Sequence, residues 1–251
     1  MNKRIGKRHI YLPDSQVRKG VSTDHLEAAG NFIAERRPDV VICGGDFADM
    51  PSLGTHNEKG HIDYEGTRYL KDIKAAQNGM IRLLKPFINI KGYKPRMVLT
   101  LGNHEDRITR CVEQDPKLEG KLTLEDLGYE DFGWQVIPFR QVKKIDGVAY
   151  CHYFVSGKYD RPIERAAALL TKKHMSCIAG HQQGRDIAYS ERGDGRTMTA
   201  IIAGSFYEHD EKYMSPQSNN HWRGIYELNE VKDGSFDEMA VSLGFLKRKY
   251  L

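Results

Sequence analysis

Residues Met97 to Glu105 read Met-Val-Leu-Thr-Leu-Gly-Asn-His-Glu. The opening apolar run contains residue types that are common in buried strands, so it predicts a strand inside a sheet. Gly102 then permits a sharp turn. Asn103 and His104 follow the turn directly, and their side chains can bind a metal ion. The stretch therefore predicts a buried strand that delivers polar groups to the edge of a sheet.

Other apolar runs of the chain end in the same way. Ligands of α/β proteins gather beyond the carboxyl ends of the strands. One Asp after a strand is usually a turn or capping residue, but repeated strand ends of this kind indicate a shared site. The runs are residues 8–12, 40–43, 97–101, 148–151 and 176–179. The polar groups that follow them are Asp14 with Gln16, Asp46 with Asp49, Asn103 with His104, His152, and His181 with Gln183.

Helical patterns alternate with these strands. Apolar residues recur at helical spacing over residues 23–37, 66–85 and 162–173, and Ser22 or Thr23 is the expected cap of the first helix. Alternating strands and helices indicate an α/β layered architecture.

The C-terminal part of the chain has a different pattern. Its apolar runs predict successive antiparallel strands, and an Asp-Gly pair at residues 233 and 234 favours a hairpin between the last two. These runs are residues 199–203, 224–228 and 239–243.

Composition limits the class of protein. The chain has 251 residues, with 38 Lys and Arg against 34 Asp and Glu, and 39% of its residues are hydrophobic. These values fit a globular protein and exclude a disordered or collagen-like one. We expect one domain, residues 1–251, with insertions at about 50–66 and 105–134 that overhang the site. The mild excess of positive charge permits an anionic substrate.

The cysteines and the hydropathy of the chain indicate its cellular compartment. The cysteines are scattered, without a Cys-x-x-Cys pair, which fits a reducing cytosol. No apolar run has the length of about 20 residues that a membrane span needs, and the basic N-terminus lacks the apolar stretch of a signal peptide. We therefore expect a cytoplasmic protein without membrane association. The cysteines are Cys43, Cys111, Cys151 and Cys177.

The order of the strand-end motifs resembles that of the calcineurin-like metallophosphoesterases. The signature of that family is Asp-x-His, Gly-Asp, Gly-Asn-His-Glu/Asp, a His after a strand, and Gly-His-x-His. The resemblance covers about residues 9–185, and Gly-Asn-His-Glu is its most specific part. The matching segments are Asp14-x-Gln16, Gly45-Asp46, Gly102-Asn103-His104-Glu105, His152 and Gly180-His181-x-Gln183.

The resemblance implies a four-layer βαββα-type sandwich, in which two mixed sheets are flanked by helices, with two divalent metal ions at the strand ends. Such a pair of ions clamps a phosphate, neutralises its charge and lowers the pKa of a bound water. Asp46 would bridge the ions and is thereby an expected catalytic residue. The other implied ligands are Asn103, His152 and His181 at one ion and Asp14, Gln16 and Gln183 at the second.

The resemblance also implies roles around the phosphoryl group. His104 would stand outside the metal ligands and act as a catalytic residue, either by stabilising charge on the phosphoryl group or by protonating the leaving oxygen. Asn103 and His104 would contact the substrate. Arg107 follows Gly-Asn-His-Glu at helical spacing and either contacts the substrate through its bidentate guanidinium or lies on a solvated helix face. Glu105 or Asp106 would orient His104 or a metal ligand.

Two positions depart from the family signature. Gln16 and Gln183 stand where the family has His, and both fall on the same expected metal site. A Gln side chain binds a metal through a neutral carbonyl oxygen, which shifts the preference of the site from Zn or Ni toward Mg or Mn. We expect a working site with Mn as the first candidate and Mg, Fe, Zn or Ni as alternatives. The other interpretation is a decayed site that holds one metal or none.

Several further side chains have two interpretations each. Asp49 follows Asp46 by three positions and is either a partner of the site or a helix cap. His56 and His61 belong to a polar loop and are either solvated or in contact with substrate. Arg110 either lies on a solvated helix face or meets a phosphate, and Tyr207 either packs in the core or reaches the site.

The expected function is metal-dependent hydrolysis of a phosphomonoester or phosphodiester. Mild basicity and the long stretch between Asp46 and Asn103 favour a nucleotide or nucleic acid, including DNA, so the enzyme would be a phosphodiesterase, nuclease or phosphatase. The alternatives are a Ser/Thr protein phosphatase and a non-catalytic binding module with a degenerate metal site. The sequence leaves the natural substrate and the oligomeric state open.

Overall fold

In a computed structural model, the described residues are 5–54, 64–157, 159–211, 215 and 217–251. The strands are β1 (Lys7–Leu12), β2 (Val40–Cys43), β3 (Arg96–Thr100), β4 (Gln135–Ile137), β5 (Lys143–Ile145), β6 (Val148–Tyr150), β7 (Cys177–Ala179), β8 (Arg185–Glu191), β9 (Thr197–Ala203), β10 (Gly224–Lys232) and β11 (Ser235–Ser242). The helices are α1 (Asp24–Arg36), α2 (Tyr69–Leu84), α3 (Asp106–Gln114), α4 (Ala166–Lys173) and α5 (Leu243–Tyr250). No helix in this part of the chain combines the length and apolar character of a membrane span.

Two mixed sheets form the centre of the fold. The first has the strand order β11-β10-β1-β2-β3-β4, and its strands β1 to β4 run parallel. The second has the order β5-β6-β7-β9-β8, with β6, β7 and β9 parallel. The parallel strands of each sheet therefore end at a common edge, where α/β proteins place their ligands.

Alternation along the strands produces four layers. In β2, Val41 packs against α1 and α2, whereas Ile42 packs against the second sheet. In β7, Cys177 packs against α4, whereas Ile178 faces the first sheet. Each fully buried aliphatic side chain stabilises the fold by about 1.5–3 kcal/mol. The order helices, sheet, sheet, helix confirms the predicted four-layer sandwich of two mixed sheets flanked by helices.

Helix α1 lies where the sequence predicted it and packs closely on α2. A side chain at Gly30 would overlap the carbonyl oxygen of Leu83, so glycine is what lets the two helices approach. At the start of α1, Ser22 Oγ accepts a hydrogen bond from the backbone N–H of Asp24 at 3.1 Å. Thr23 occupies the capping position but makes no capping hydrogen bond through its side chain.

The predicted C-terminal hairpin is confirmed, but one predicted strand belongs elsewhere. β10 and β11 pair antiparallel around Asp233 and Gly234, which both have positive φ. β9 does not join them, because it lies in the second sheet between β7 and β8. Residues Ala200 to Ala203 of β9 are buried throughout, as is typical of a central strand. The prediction of three successive antiparallel strands is therefore wrong for the first of them.

The two expected insertions differ in what the structure describes. In the first, Pro51–Leu53 form a short 3-10 helix, and residues 55–63, with His56 and His61, lie outside the described residues. The second includes α3 and contributes buried side chains to the helical side of the core, namely Leu127, Tyr129 and Trp134. The division of the chain into a single domain stays a prediction.

Candidate metal centre

The polar groups predicted from the strand ends come together between the two sheets. Asp14, Asp46 and Asn103 follow β1, β2 and β3 of the first sheet, and His152 and His181 follow β6 and β7 of the second. Asp14, Asp46 and His152 are buried. Loops from both sheets therefore build one site.

Asp46, His152 and His181 form the core of this site. Each offers one ligand atom, and these atoms lie within 4.8 Å of one another. Asp46 Oδ2 lies 3.3 Å from His152 Nε2, and Asn103 Oδ1 lies 3.0 Å from the same nitrogen. Asp14 Oδ1 lies 4.0 Å from His152 Nδ1. The structure thus brings together the carboxylates, imidazoles and amide that were expected at the strand ends.

Asp14 links the two sheets at this site. Its carboxylate oxygens accept the backbone N–H of His181 at 3.0 and 3.1 Å. A side chain at Gly180 would overlap Asp14 Oδ1, so glycine permits the approach. Burial raises the pKa of Asp14 to about 7, while the nearby His152 acts in the opposite direction. Burial therefore outweighs the attraction of Asp14 to His152.

A hydrogen bond fixes the ring of His152. Its Nδ1 lies 2.9 Å from the carbonyl oxygen of Gly44, which can only accept, so Nδ1 carries the hydrogen and Nε2 faces Asp46 and Asn103. Burial alone would lower the pKa of His152, but the carboxylates of Asp46 and Asp14 outweigh burial and raise it to about 10. The same carboxylates would attract a metal cation.

Asp46 occupies a tight turn in which its backbone is left-handed, with φ of 47°. A side chain at Gly102 would overlap Asp46 Oδ1, which explains the glycine before Asn103. The backbone N–H of His104 donates to the same oxygen at 2.8 Å. Burial opposes ionisation of Asp46, but His104 and His152 outweigh it and lower the pKa of this carboxyl. Asp46 is therefore ionised and able to bind a cation.

Glu105 holds the loop that carries Asp46. Its Oε2 accepts the backbone N–H groups of Asp46 and Gly102, each at 2.9 Å. Its Oε1 accepts the N–H of Ala48 at 2.9 Å and the hydroxyl of Tyr129 at 3.2 Å. Burial raises the pKa of Glu105, and the backbone donors act against this rise. Glu105 was expected to orient either His104 or a metal ligand. In the structure it holds the backbone of Asp46, which is a predicted metal ligand.

His104 is oriented by Asp49 and not by Glu105 or Asp106. Asp49 Oδ1 lies 3.0 Å from His104 Nδ1. Asp106 instead pairs with Arg110 one turn along α3, at 3.2 Å. The side chain of Asp49 thus contacts the site, in agreement with the first of its two interpretations.

The second ring nitrogen of His104 faces the metal centre. His104 Nε2 lies 3.7 Å from Asp46 Oδ2 and 3.1 Å from an Arg107 guanidinium nitrogen. Arg107 also donates to the carbonyl oxygen of Asp49 at 2.7 Å. Burial alone would lower the pKa of His104, but Asp46 and Asp49 outweigh burial and raise it. Arg107 therefore helps to hold the His104–Asp49 pair, and its contact with substrate stays a prediction.

The two glutamines that depart from the signature have different surroundings. Gln16 is buried, its φ is 40°, and its Oε1 has no hydrogen-bond partner among the described residues. Its backbone N–H donates to the carbonyl oxygen of Asp46 at 2.8 Å. Gln183 Oε1 instead accepts the hydroxyl of Tyr207 at 2.6 Å. An unpartnered buried amide oxygen suits a metal ligand, whereas Gln183 already has a partner, and both assignments stay predictions.

Two arginines near the site have supporting contacts. Arg110 donates to the carbonyl oxygen of Asn103 at 3.0 Å, so it braces the loop of a predicted ligand. Arg18, which sequence reasoning did not single out, donates to Asp49 Oδ2 at 3.1 Å. Nothing in the sequence around Arg18 marks this contact, because it depends on how two loops meet.

The donor set of this cluster fits divalent metal ions. Asp14 and Asp46 supply buried carboxylates, His152 and His181 supply imidazoles, and Gln16 supplies a buried amide oxygen without a partner among the described residues. Mixed oxygen and nitrogen donors of this kind suit first-row ions such as Mn, Fe or Zn.

The chain matches no protein-family model and no curated protein. Among solved structures it is similar to wild-type Vps29 from Entamoeba histolytica complexed with Zn²⁺, with 13% identity, a TM-score of 0.38 and coverage of 94% of this chain and 99% of that chain. YfcE, a phosphoesterase from E. coli, has 11% identity and a TM-score of 0.39 over 94% of this chain and 100% of that chain.

The NAD nucleotidase NadN from Haemophilus influenzae is 9% identical, with a TM-score of 0.36, over 95% of this chain and 50% of that chain. These neighbours have the calcineurin-like metallophosphoesterase fold. The identities and TM-scores are low, so the likeness carries no argument about activity, which has to be argued from the chain's own side chains.

Proposed function

We propose that this protein is a metal-dependent phosphoesterase that hydrolyses a phosphomonoester or phosphodiester. The observation that supports it best is the convergence of Asp46, His152 and His181, whose ligand atoms lie within 4.8 Å of one another. His104 lies beside this cluster, held by Asp49 at 3.0 Å. Metal ligands next to an oriented acid–base group are the combination that phosphate-ester hydrolysis requires.

Two divalent cations would be held by the predicted ligands. One would bind Asp46, Asn103, His152 and His181, and the other would share Asp46. The second ion would take its remaining donors from Asp14, Gln16 and Gln183. Bound there, the ions would neutralise phosphate charge and lower the pKa of a water. The oxygen donors of the second set favour Mn, with Mg, Fe, Zn or Ni as alternatives.

The side chains around His104 suit proton donation to a leaving oxygen. Asp49 at Nδ1 fixes the ring, and the neighbouring carboxylate of Asp46 favours the protonated imidazole. Arg107 lies 3.1 Å from Nε2 and can only donate, so Nε2 accepts in this arrangement. To protonate a leaving oxygen, Nε2 would carry a proton and the guanidinium of Arg107 would turn to a phosphoryl oxygen. Asn103 and Arg107 are the proposed substrate contacts beside His104.

A matrix of metals against substrates tests this proposal. The chain is stripped with chelator, reloaded separately with each of the five metals, and assayed on p-nitrophenyl phosphate, bis-(p-nitrophenyl) phosphate, nucleotides, DNA and phosphopeptides. We expect turnover with Mn that is abolished by Asp46→Asn, whereas Asp237→Asn, an exposed carboxylate on β11, retains wild-type rates. Turnover confined to phosphopeptides would identify a protein phosphatase instead.

One observation favours a non-catalytic binding module. Gln183 already accepts a hydrogen bond from Tyr207, so the second set of ligands has a competitor for one donor. That interpretation predicts one bound metal or none, and no turnover of any substrate in the matrix. Metal counting on protein with Mn added back separates the two cases, and hydrolysis that Asp46→Asn abolishes excludes the binding module.

A further inference from the structure

A cationic groove lies beside the candidate metal centre. It has a volume of about 320 Å³ and runs between the loop that follows β1 and one face of α2. Its apolar lining comes from Val17, Val21, Ala75 and Gly79. Its charged lining is entirely basic and comprises Arg18, Lys19, Lys71 and Lys74.

Two of these lysines approach each other from different elements. Lys19 and Lys71 both line the groove, and the positive charge of Lys19 lowers the pKa of Lys71. Lys74 follows Lys71 by one helical turn, and both side chains are exposed. Like charges that are held together in this way favour an anion between them.

Arg18 pairs with Asp49 and Glu211, but the three lysines of the groove have no carboxylate partner in the part of the chain that the structure describes. Asp24 and Glu27, at the start of α1, bind Arg82 and not the lysines. Asp72 is buried and accepts the backbone N–H of Ser52. Lys19, Lys71 and Lys74 therefore present unpaired positive charge to solvent.

The groove lies next to the loop that carries Gln16, a predicted metal ligand. Lys19 follows Gln16 by three residues, so their Cα atoms are at most about 11 Å apart. Arg18, at the junction, donates to Asp49, and Asp49 holds His104. An anion in the groove would thus be adjacent to a phosphate ester at the metal centre.

The basic surface extends further than one phosphate group would need. A neighbouring hollow of about 160 Å³ shares Lys19 and Lys71 with the groove and adds Arg68. Two carboxylates also line it, the exposed Glu65 and the buried Asp72. A track of cations along a groove follows a chain of phosphates. Among the described residues, no aromatic side chain lines either hollow, so the contacts would be to the backbone rather than to stacked bases.

We propose that this groove binds the sugar-phosphate backbone of a single-stranded nucleic acid and leads the strand to the metal centre. The inference deepens the proposed function and rests on it for the identity of the reacting phosphodiester. A groove bounded by one loop and one helix admits one strand, and contacts limited to phosphates would make binding independent of base sequence.

Binding in the presence of EDTA tests the groove without any catalysis. Fluorescence anisotropy with labelled oligo-deoxythymidine compares the full chain with Lys71→Ala/Lys74→Ala and with the control Lys91→Ala/Lys94→Ala, which removes two exposed lysines from the loop before β3. We expect about tenfold weaker binding in the groove variant. The slope of log K against log salt, measured between about 50 and 200 mM, should fall by about 1.4, or 0.7 per lost phosphate contact.

The groove variant should fold normally. Alanine is the best helix former, and removal of Lys71 relieves its repulsion from Lys19, so the midpoint of urea denaturation should equal or exceed that of the wild type.

Several results would overturn the proposal. They are wild-type affinity in the groove variant, an equal loss in the control variant, tighter binding of duplex than of single strands, and binding of inorganic tripolyphosphate without binding of the oligonucleotide. If the wild type hydrolyses no phosphate ester but the lysine effect on binding persists, the proposed function fails and the groove assignment stands. If the wild type hydrolyses a phosphate ester but the lysine substitutions do not weaken binding, the groove assignment fails and the proposed function stands.

Discussion

Replacement of Glu105 by Gln should destabilise the protein strongly, because all four hydrogen-bond partners of this carboxylate are donors. Two backbone N–H groups, of Asp46 and Gly102, point at one oxygen, and the N–H of Ala48 and the hydroxyl of Tyr129 point at the other. In Glu105→Gln, one oxygen becomes an NH₂ group, so two buried donors lose their acceptor and face another donor.

The magnitude follows from these contacts. A hydrogen bond to a charged group contributes about 1.5–3 kcal/mol, so two lost bonds correspond to about 3–6 kcal/mol. A domain typically has a free energy of unfolding of only about 5–15 kcal/mol. Since Asp46 is held through its backbone by Glu105, metal affinity should also fall, by about 10–100-fold.

Urea denaturation in EDTA, followed by tryptophan fluorescence and circular dichroism, measures the first effect. Glu113→Gln is the matched control, because Glu113 is an exposed residue on the same helix, and it should change the free energy of unfolding by no more than about 0.5 kcal/mol. A loss below about 1 kcal/mol in Glu105→Gln would refute the argument that this carboxylate organises the loops.

Two further predictions concern histidines. His104→Ala should lower kcat by about 10²–10⁴-fold while the metal content stays at the wild-type value; a loss of metal with the activity would show that His104 is a ligand instead. His9 is buried against Tyr150 and Asp146, and burial lowers its pKa from 6.5 to about 4. Between about pH 6.5 and pH 4, His9 is protonated in the unfolded chain but neutral in the folded protein. The free energy of unfolding should therefore decrease as the pH is lowered through this window, by up to about 3 kcal/mol. His9→Gln should remove that part of the pH dependence in urea titrations, and an unchanged slope would contradict the assignment.

The residues that directly follow strands could be predicted from sequence because their position depends on local patterns. A strand, a glycine and a polar residue in succession place Asp46 and Asn103 at a sheet edge whatever the rest of the chain does. His181 follows the same pattern after Gly180, and Asp14 and His152 follow their strands without a glycine.

Contacts between loops could not be predicted in this way. Asp49 and His104 are 55 residues apart in sequence and meet only because both loops turn toward the same sheet edge. The four donors around Glu105 likewise come from three separate loops, and no pattern in the chain links them. The Asp46–Asp49 spacing indicated a partner for the site but not which side chain it would contact.

Strand β8 was missed for a different reason. It lies at the edge of the second sheet, where its residues are half-buried or exposed, so it has neither a continuous apolar run nor a clear alternation. β9 was assigned to the wrong neighbours because the sequence of a buried central strand does not say which sheet it joins.

The left-handed backbone of the site has a consequence for identifying its ion. Gln16, Asp46 and His181 all have positive φ, which destabilises the folded state by roughly 1–2 kcal/mol for each such residue. Burial of the Asp14 carboxylate destabilises it further. An ion that binds only the folded state would offset this cost, by about 2.7 kcal/mol at a concentration 100-fold above Kd. A thermal-shift screen of divalent cations should therefore rank the ions that this fold accepts before any substrate is known.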